Sequence, residues 1–289
     1  MNPADETLVA AINDRTGAGL ALRGRAEHGK LGGAIYVEWP DGRAAVVTRF
    51  LGSLDDAERT AEVLAYVRDR GVPVPRHHLV VALDDGVAFV QERLPRIPSR
   101  LTAARVDGLV AINDRCAGVL APRPDVPAPA MCRQRSDDPA GHPRLAELGR
   151  PHRRVLEELS CIRRRAPAEI AAGTDLVHID LSPANVLFDE TDRATAVVDW
   201  NLGVYRGDRM FALVNTRFDR EWFVRSPDAD PVESRAAAHL DEILAERIDP
   251  GRLRSYWALW LLHHLSRTLD SGPLEALEWQ LDMAQSRLL

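Results

Sequence analysis

A chain of 289 residues with 45% hydrophobic and 28% charged residues is long enough for one large domain or two smaller ones, and its composition is that of a globular protein. A formal charge of -6, with no dense basic run, argues against a nucleic-acid partner. The longest basic cluster, Arg163-Arg164-Arg165, reads as a solvated helix end.

In chain order, residues 6–16 place Leu8, Val9 and Ile12 at helical spacing and stop at Gly17. Asp5, Glu6 and Asp14 within residues 1–20 do not fit a signal peptide. Gly29, Gly32 and Gly33 then precede two apolar runs, 34–39 and 44–50, around Asp41-Gly42, which predicts a β-hairpin. Residues 54–70 carry Ala57, Ala61, Leu64, Ala65 and Val67 mostly on one helical face, with Gly71 as the stop. The prolines of 72–75 keep that stretch extended, and 78–83 with 86–92 predict a second hairpin around Asp84-Asp85-Gly86. The proline-containing stretch 94–98 is the expected linker.

Beyond it the chain reads as mostly helical, at about 102–120, 143–164, 234–246 and 251–270, with loops at 122–130 and 133–141. The last helix is the clearest, with Leu253, Tyr256, Trp257, Trp260, Leu261, His264 and Leu265 on one stripe. Its apolar stretch, 257–262, is far too short to span a bilayer, so no membrane partner is expected. Cys116, Cys132 and Cys161 form no C-x-x-C pair and have no histidines at zinc spacing, which predicts reduced thiols in the cytoplasm. The class is α+β, with a small β-rich part (1–93) before a larger helical part (94–289).

Chemistry concentrates at 176–188 and 195–200. Asp180 and Asp199 each end a β-prone run, and Asn185 lies between them. Taken singly, each reads as a turn or cap residue. Taken together, with His178 in front, they supply what phosphoryl transfer needs. One carboxylate aligns a hydroxyl, and a second carboxylate and an amide oxygen offer hard ligands to magnesium. All three are expected to meet in one crevice. Gly24 to Lys30 approaches a Walker A loop, but Leu31 stands where the hydroxyl residue belongs and a strand follows, so that reading is set aside.

The run from His178 to Asn185, with Asp199-Trp200, resembles the aminoglycoside phosphotransferase family over roughly 20–270, with Ile179 where that family often has glycine. The resemblance implies a protein-kinase-like bilobal fold, with a nucleotide-binding lobe at 1–93 and a helical lobe at 94–289. It makes Asp180 the catalytic base, Asn185 and Asp199 the Mg2+ ligands, and His178 structural. Gly32 and Gly33 would lie over the phosphates. Arg49 stands where kinases keep a lysine, and Glu62 or Glu58 is its expected partner, although counting back from Pro73-Val74-Pro75 lands nearest Thr60. Gln91, Glu92 and Leu94 would hold the adenine edge. Gly207-Asp208 fits the family, but Ala212 stands where a later acid is usual.

The implied reaction moves the γ-phosphate of ATP (or GTP) to a hydroxyl of a cationic antibiotic, an aminoglycoside or a basic cyclic peptide of the viomycin and capreomycin kind, conferring resistance. Asp219, Glu221 and Asp228 are the expected acceptor-site acids, and Trp222 and Phe223 offer a flat face to a ring or fill the core. Two alternatives stand beside it: a metabolic kinase acting on choline, homoserine or a sugar amine, and a degraded kinase fold that only binds. A protein kinase fits less well, because 200–215 is short for an activation segment.

Overall fold

A computed structural model of the chain describes residues 2–26, 33–95, 100–133, 150–163 and 167–288. The elements in chain order are α1 (Pro3–Thr16), β1 (Ala21–Arg25), β2 (Ile35–Glu38), β3 (Ala44–Phe50), α2 (Leu54–Arg68), β4 (His77–Leu83), β5 (Gly86–Glu92), α3 (Ala103–Asp114), α4 (Ala130–Arg133), α5 (Arg150–Arg163), α6 (Pro167–Ala171), β6 (Asp175–Val177), β7 (Val186–Phe188), β8 (Ala194–Val197), β9 (Tyr205–Gly207), α7 (Met210–Val224), α8 (Pro231–Arg247), α9 (Pro250–Ser271) and α10 (Leu274–Leu288). They form two units, Met1–Ser99 with Ala184–Val204, and Arg100–Pro183 with Tyr205–Leu289. The β7–β8 hairpin thus belongs to the first unit, although the expected division lay at 93/94. The expected linker falls mostly on residues 96–99, outside the described residues, as do Arg164 and Arg165.

The first unit is built on an antiparallel sheet of order β1-β2-β3-β5-β4. One face packs on α1: Leu8, Val9 and Ile12 cluster with Ala45, Val47, Ala88 and Val90. The other packs on α2, where Phe50, Val87 and Phe89 surround Ala57. Successive strand residues face opposite sides. Thr48 therefore shares the α2 face with Phe50, and Arg49 lies on the α1 side with Val47. Ser53 caps α2 by accepting from the Asp56 amide, and the side chain of Asn2 caps α1. Strand β1 was not expected: it has few apolar residues, and its register with β2 shifts between Leu22 and Gly24.

The second unit is helical around α7, which is buried at every position from Met210 to Phe218. Phe211 stacks on Trp260 at 4.6 Å, and the Trp260 indole donates to the Phe211 carbonyl at 2.9 Å. Asp208 ties the start of α7 to α9, accepting from the Met210 amide at 2.9 Å and from the Tyr256 hydroxyl at 2.5 Å. Strands β6 and β9 pair just ahead of this helix, with Asp175 opposite Gly207. Among the described residues no helix is long and apolar enough to cross a membrane.

His77 on β4 packs edge-on to Phe89 at 4.6 Å, and both its ring nitrogens are shut off from solvent. Burial pushes its pKa down to about 4, against a smaller opposite pull from the Pro75 carbonyl. The unfolded chain then binds the extra proton between pH 6.5 and pH 4, so stability falls as pH drops through that window. The loss expected from this one group is about 3 kcal/mol. Urea unfolding of the intact chain at pH 7 and pH 4 should show a smaller loss for His77→Phe than for the wild type. Equal losses would contradict the assignment.

Candidate active site

The segment after β6 is fixed from three directions. The Asp180 amide donates to Nδ1 of His178 at 3.1 Å, which makes that nitrogen an unprotonated acceptor. From α7, the Asn215 side-chain amide donates to the Ile179 carbonyl at 3.1 Å, and the Thr216 hydroxyl donates to the Leu181 carbonyl at 2.5 Å. The backbone on both sides of Asp180 is therefore held, while Asp180 itself stays half-buried. His178, Asn215 and Thr216 are buried. Buried peptide groups need such partners, because leaving one unmade costs about 1–3 kcal/mol. The sequence reading missed Asn215 and Thr216. Their signal was an adjacent polar pair inside the apolar run 211–218.

Asn185 and Asp199 lie in the first unit, at the open end of the β7–β8 hairpin. The Val198 amide donates to the Asn185 carbonyl at 2.8 Å, so the two residues are brought side by side. Asp199 has φ 65°, a left-handed backbone that Asp tolerates better than most residues. Asn201 holds its carboxylate with a 2.6 Å hydrogen bond, and the buried Trp200 donates to the Val197 carbonyl at 2.9 Å. Among the described residues no group of three or more His, Cys, Asp or Glu gathers as a metal cluster. One carboxylate and one amide oxygen fit magnesium, a hard cation that keeps several waters and takes few protein ligands.

Other expectations need correction. Arg49 forms a two-pronged pair with Asp85, at 2.6 and 3.0 Å, on the sheet side away from α2. Its carboxylate is Asp85 and not Glu62, which is exposed on α2. Thr48 is the β3 residue that faces α2; it is buried and its hydroxyl has no hydrogen-bond partner. The Glu92 amide donates to the Arg76 carbonyl at 2.8 Å and its carboxylate accepts from the Arg76 amide at 3.2 Å, so that amide is not open to a base edge. Gln91 is buried in β5, and Leu94 lies half-buried beyond it. Gly33 has φ 67°, a value that favours glycine, whereas Gly29, Lys30 and Gly32 lie outside the described residues.

Of the expected acceptor acids, Glu221 is only 3% exposed and sits among Arg217, Arg225 and Arg287. Burial alone would raise its pKa, but the charges of Arg217 and Arg287 and the arginine hydrogen bonds outweigh that and hold it low. Glu221 is a structural ion-pair residue. Asp219 is half-buried and Asp228 exposed. Trp222 and Phe223 are exposed, not core.

A five-stranded sheet with helices on both faces, a helical unit, and an Asp-bearing loop followed by a hairpin with Asn and Asp at its end define a kinase-like phosphotransferase of the α+β class. The chain matches the phosphotransferase enzyme family (APH) over residues 26–256 and belongs to that family. It is a nucleoside-triphosphate-dependent phosphotransferase whose acceptor is an alcohol group. No curated protein matches it in sequence. Its fold is similar to that of aminoglycoside phosphotransferase APH(3'')-Id from Streptomyces rimosus in complex with ADP and streptomycin, with TM-score 0.55 and 18% identity over 89% of this chain and 97% of that one. It is also similar to the GDP complex of a mutant of aminoglycoside 2'-phosphotransferase IIIa (TM-score 0.64, 13% identity, 98% and 97% covered). Macrolide 2'-phosphotransferase type I is a third such structure (TM-score 0.55, 16% identity, 98% of each chain covered).

Thr216→Val keeps the side-chain shape and removes the donor to Leu181. In steady-state assays it is expected to lower kcat roughly tenfold with both KM values within about twofold, the scale of one lost buried hydrogen bond. Thr216→Ser should restore the rate. A valine variant as fast as the wild type would show that this hydrogen bond does not matter.

Proposed function

We propose that this protein transfers the γ-phosphate of ATP to a hydroxyl of an antibiotic bearing basic groups, and does so in the cytoplasm. The observation that carries this reading is the fixed backbone around Asp180, a carboxylate placed on a held turn. In the proposed reaction the acceptor hydroxyl donates a hydrogen bond to the Asp180 carboxylate, which orients the oxygen and takes its proton as transfer proceeds. The oxygen–phosphorus bond to the acceptor forms as the bond from the γ-phosphorus to the β–γ bridging oxygen breaks, and ADP leaves. Asn185 and Asp199 hold Mg2+, with Asn201 keeping the Asp199 carboxylate in place. When bound, magnesium neutralises charge on the phosphates.

Family membership supports the reaction type, and similar structures in complex with ADP and streptomycin or with GDP support a purine nucleotide and an antibiotic acceptor. The acceptor-site acids that remain in this proposal are Asp219 and Asp228, and the chain's net charge of -6 favours approach of a cationic molecule. A panel of antibiotics assayed for Mg2+-dependent phosphate incorporation from ATP should identify the acceptor. With that acceptor, Asp180→Asn should lower kcat by roughly two to four orders of magnitude while the KM for ATP stays within about twofold. Wild-type turnover by this variant would remove Asp180 from the base role.

A further inference from the structure

Strand β1 lies at the edge of the sheet, has only Ala21 and Leu22 as apolar residues, and pairs with β2 in a shifted register. Pairing of that kind holds a strand weakly by itself. Helix α1 holds it at both ends. Just ahead of β1, the Asn13 side-chain amide donates to the Leu20 carbonyl at 2.9 Å, and its oxygen accepts from the Leu20 amide at 2.7 Å. At the far end, the Asp5 carboxylate takes both prongs of the Arg25 guanidinium, from Nε at 2.9 Å and from Nη2. Asp5 is only 3% exposed. A buried carboxylate is tolerated only when it is paired. The Arg25 hydrogen bond outweighs burial and holds the Asp5 pKa below the usual carboxylate range. Its place in the first turn of α1 favours the negative charge as well.

Arg25 is the last residue of β1 and stands opposite Ile35. The mouth of the β1–β2 hairpin closes directly after it, where the Ala26 amide donates to the Ala34 carbonyl at 2.8 Å. Gly33 lies against this closure. A β-carbon on it would stand 3.5 Å from the Ala26 carbonyl and 3.8 Å from the Arg25 side chain. The chain of contacts therefore runs from Asp5 through one guanidinium to the backbone of Gly33, all within the first unit.

Resting on the phosphotransferase reading above, with Gly33 over the nucleotide phosphates, we infer that Asp5 of α1 is a positioning residue for phosphate binding. It touches no substrate. It holds Arg25, the Arg25 stem lies beside Gly33, and the hairpin mouth is set before the nucleotide arrives. Preorganisation of this kind adds affinity for the group that the backbone meets, here the phosphates, and not for the base.

The test is calorimetric titration of ADP with Mg2+, and separately of adenosine, into the intact wild type, Asp5→Asn and Asp5→Glu. Asparagine keeps the shape and removes the charge. The expected result is ADP affinity about tenfold weaker in Asp5→Asn, with adenosine affinity within about twofold of the wild type, and recovery of at least part of the ADP affinity in Asp5→Glu. Equal weakening of both ligands, the mark of a general loosening of the unit, overturns the positioning role. So does an ADP affinity in Asp5→Asn within about twofold of the wild type. Either outcome leaves the phosphotransferase reading standing. A wild type that binds neither ligand overturns both.

Discussion

A carboxylate and an amide oxygen can share one divalent cation only if the backbone brings their residues together. The 2.8 Å hydrogen bond from the Val198 amide to the Asn185 carbonyl does this. Asn185 and Asp199 are fourteen positions apart in the sequence but neighbours at the end of a hairpin in which Val186 and Val197 are buried opposite one another. The left-handed backbone at Asp199 costs on the order of 1 kcal/mol. The buried Trp200 and the Asn201 hydrogen bond offset it. Two further bonds, from the Val197 amide to the Pro73 carbonyl and from the Leu51 amide to the Asn201 carbonyl, attach the hairpin to the turns after α2 and β3. The position of the proposed metal pair is thus set by the sheet unit, even though its residues lie far along the chain from that sheet.

In the second unit, α7 has the corresponding role. Its first half is buried on every side, its Asn215 and Thr216 satisfy the carbonyls beside Asp180, and its second half anchors ion pairs. Arg217, Glu221, Arg287 and Asp241 link α7, α10 and α8 in one partly buried network. Such networks add little net stability over apolar packing, but removing one member leaves an uncompensated buried charge and is strongly destabilising. Their effect here is to fix the rotation of α7 about its axis. That rotation turns Asn215 and Thr216 onto the Asp180 loop.

The features legible in the sequence were the local ones. The two N-terminal hairpins announce themselves by Asp-Gly turns between apolar runs, and His178, Asp180, Asn185 and Asp199 stand close enough in sequence for a shared chemistry to be expected of them. Helix α7 was missed because burial on all sides erases the 3.6-residue period from which a helix is read. Helix α10 was missed as well, although Leu277, Leu281, Ala284 and Leu288 recur at helical spacing. The choice between Thr48 and Arg49 turns on strand register, where a shift of one residue exchanges the two faces of the sheet. Glu221 passed as an acceptor-site acid although Arg217 and Arg225 flank it four residues away on either side, a spacing that brings them onto it in a helix.

The metal pair is most directly tested by calorimetric titration of ADP, with and without Mg2+, into the wild type and Asp199→Ala. The predicted result is a wild-type affinity that rises at least about tenfold with Mg2+, and a variant whose weaker affinity is the same in both conditions. A variant that keeps the full magnesium dependence would contradict the assignment of Asp199 as a ligand, and with it the hairpin as the place where the cation is held.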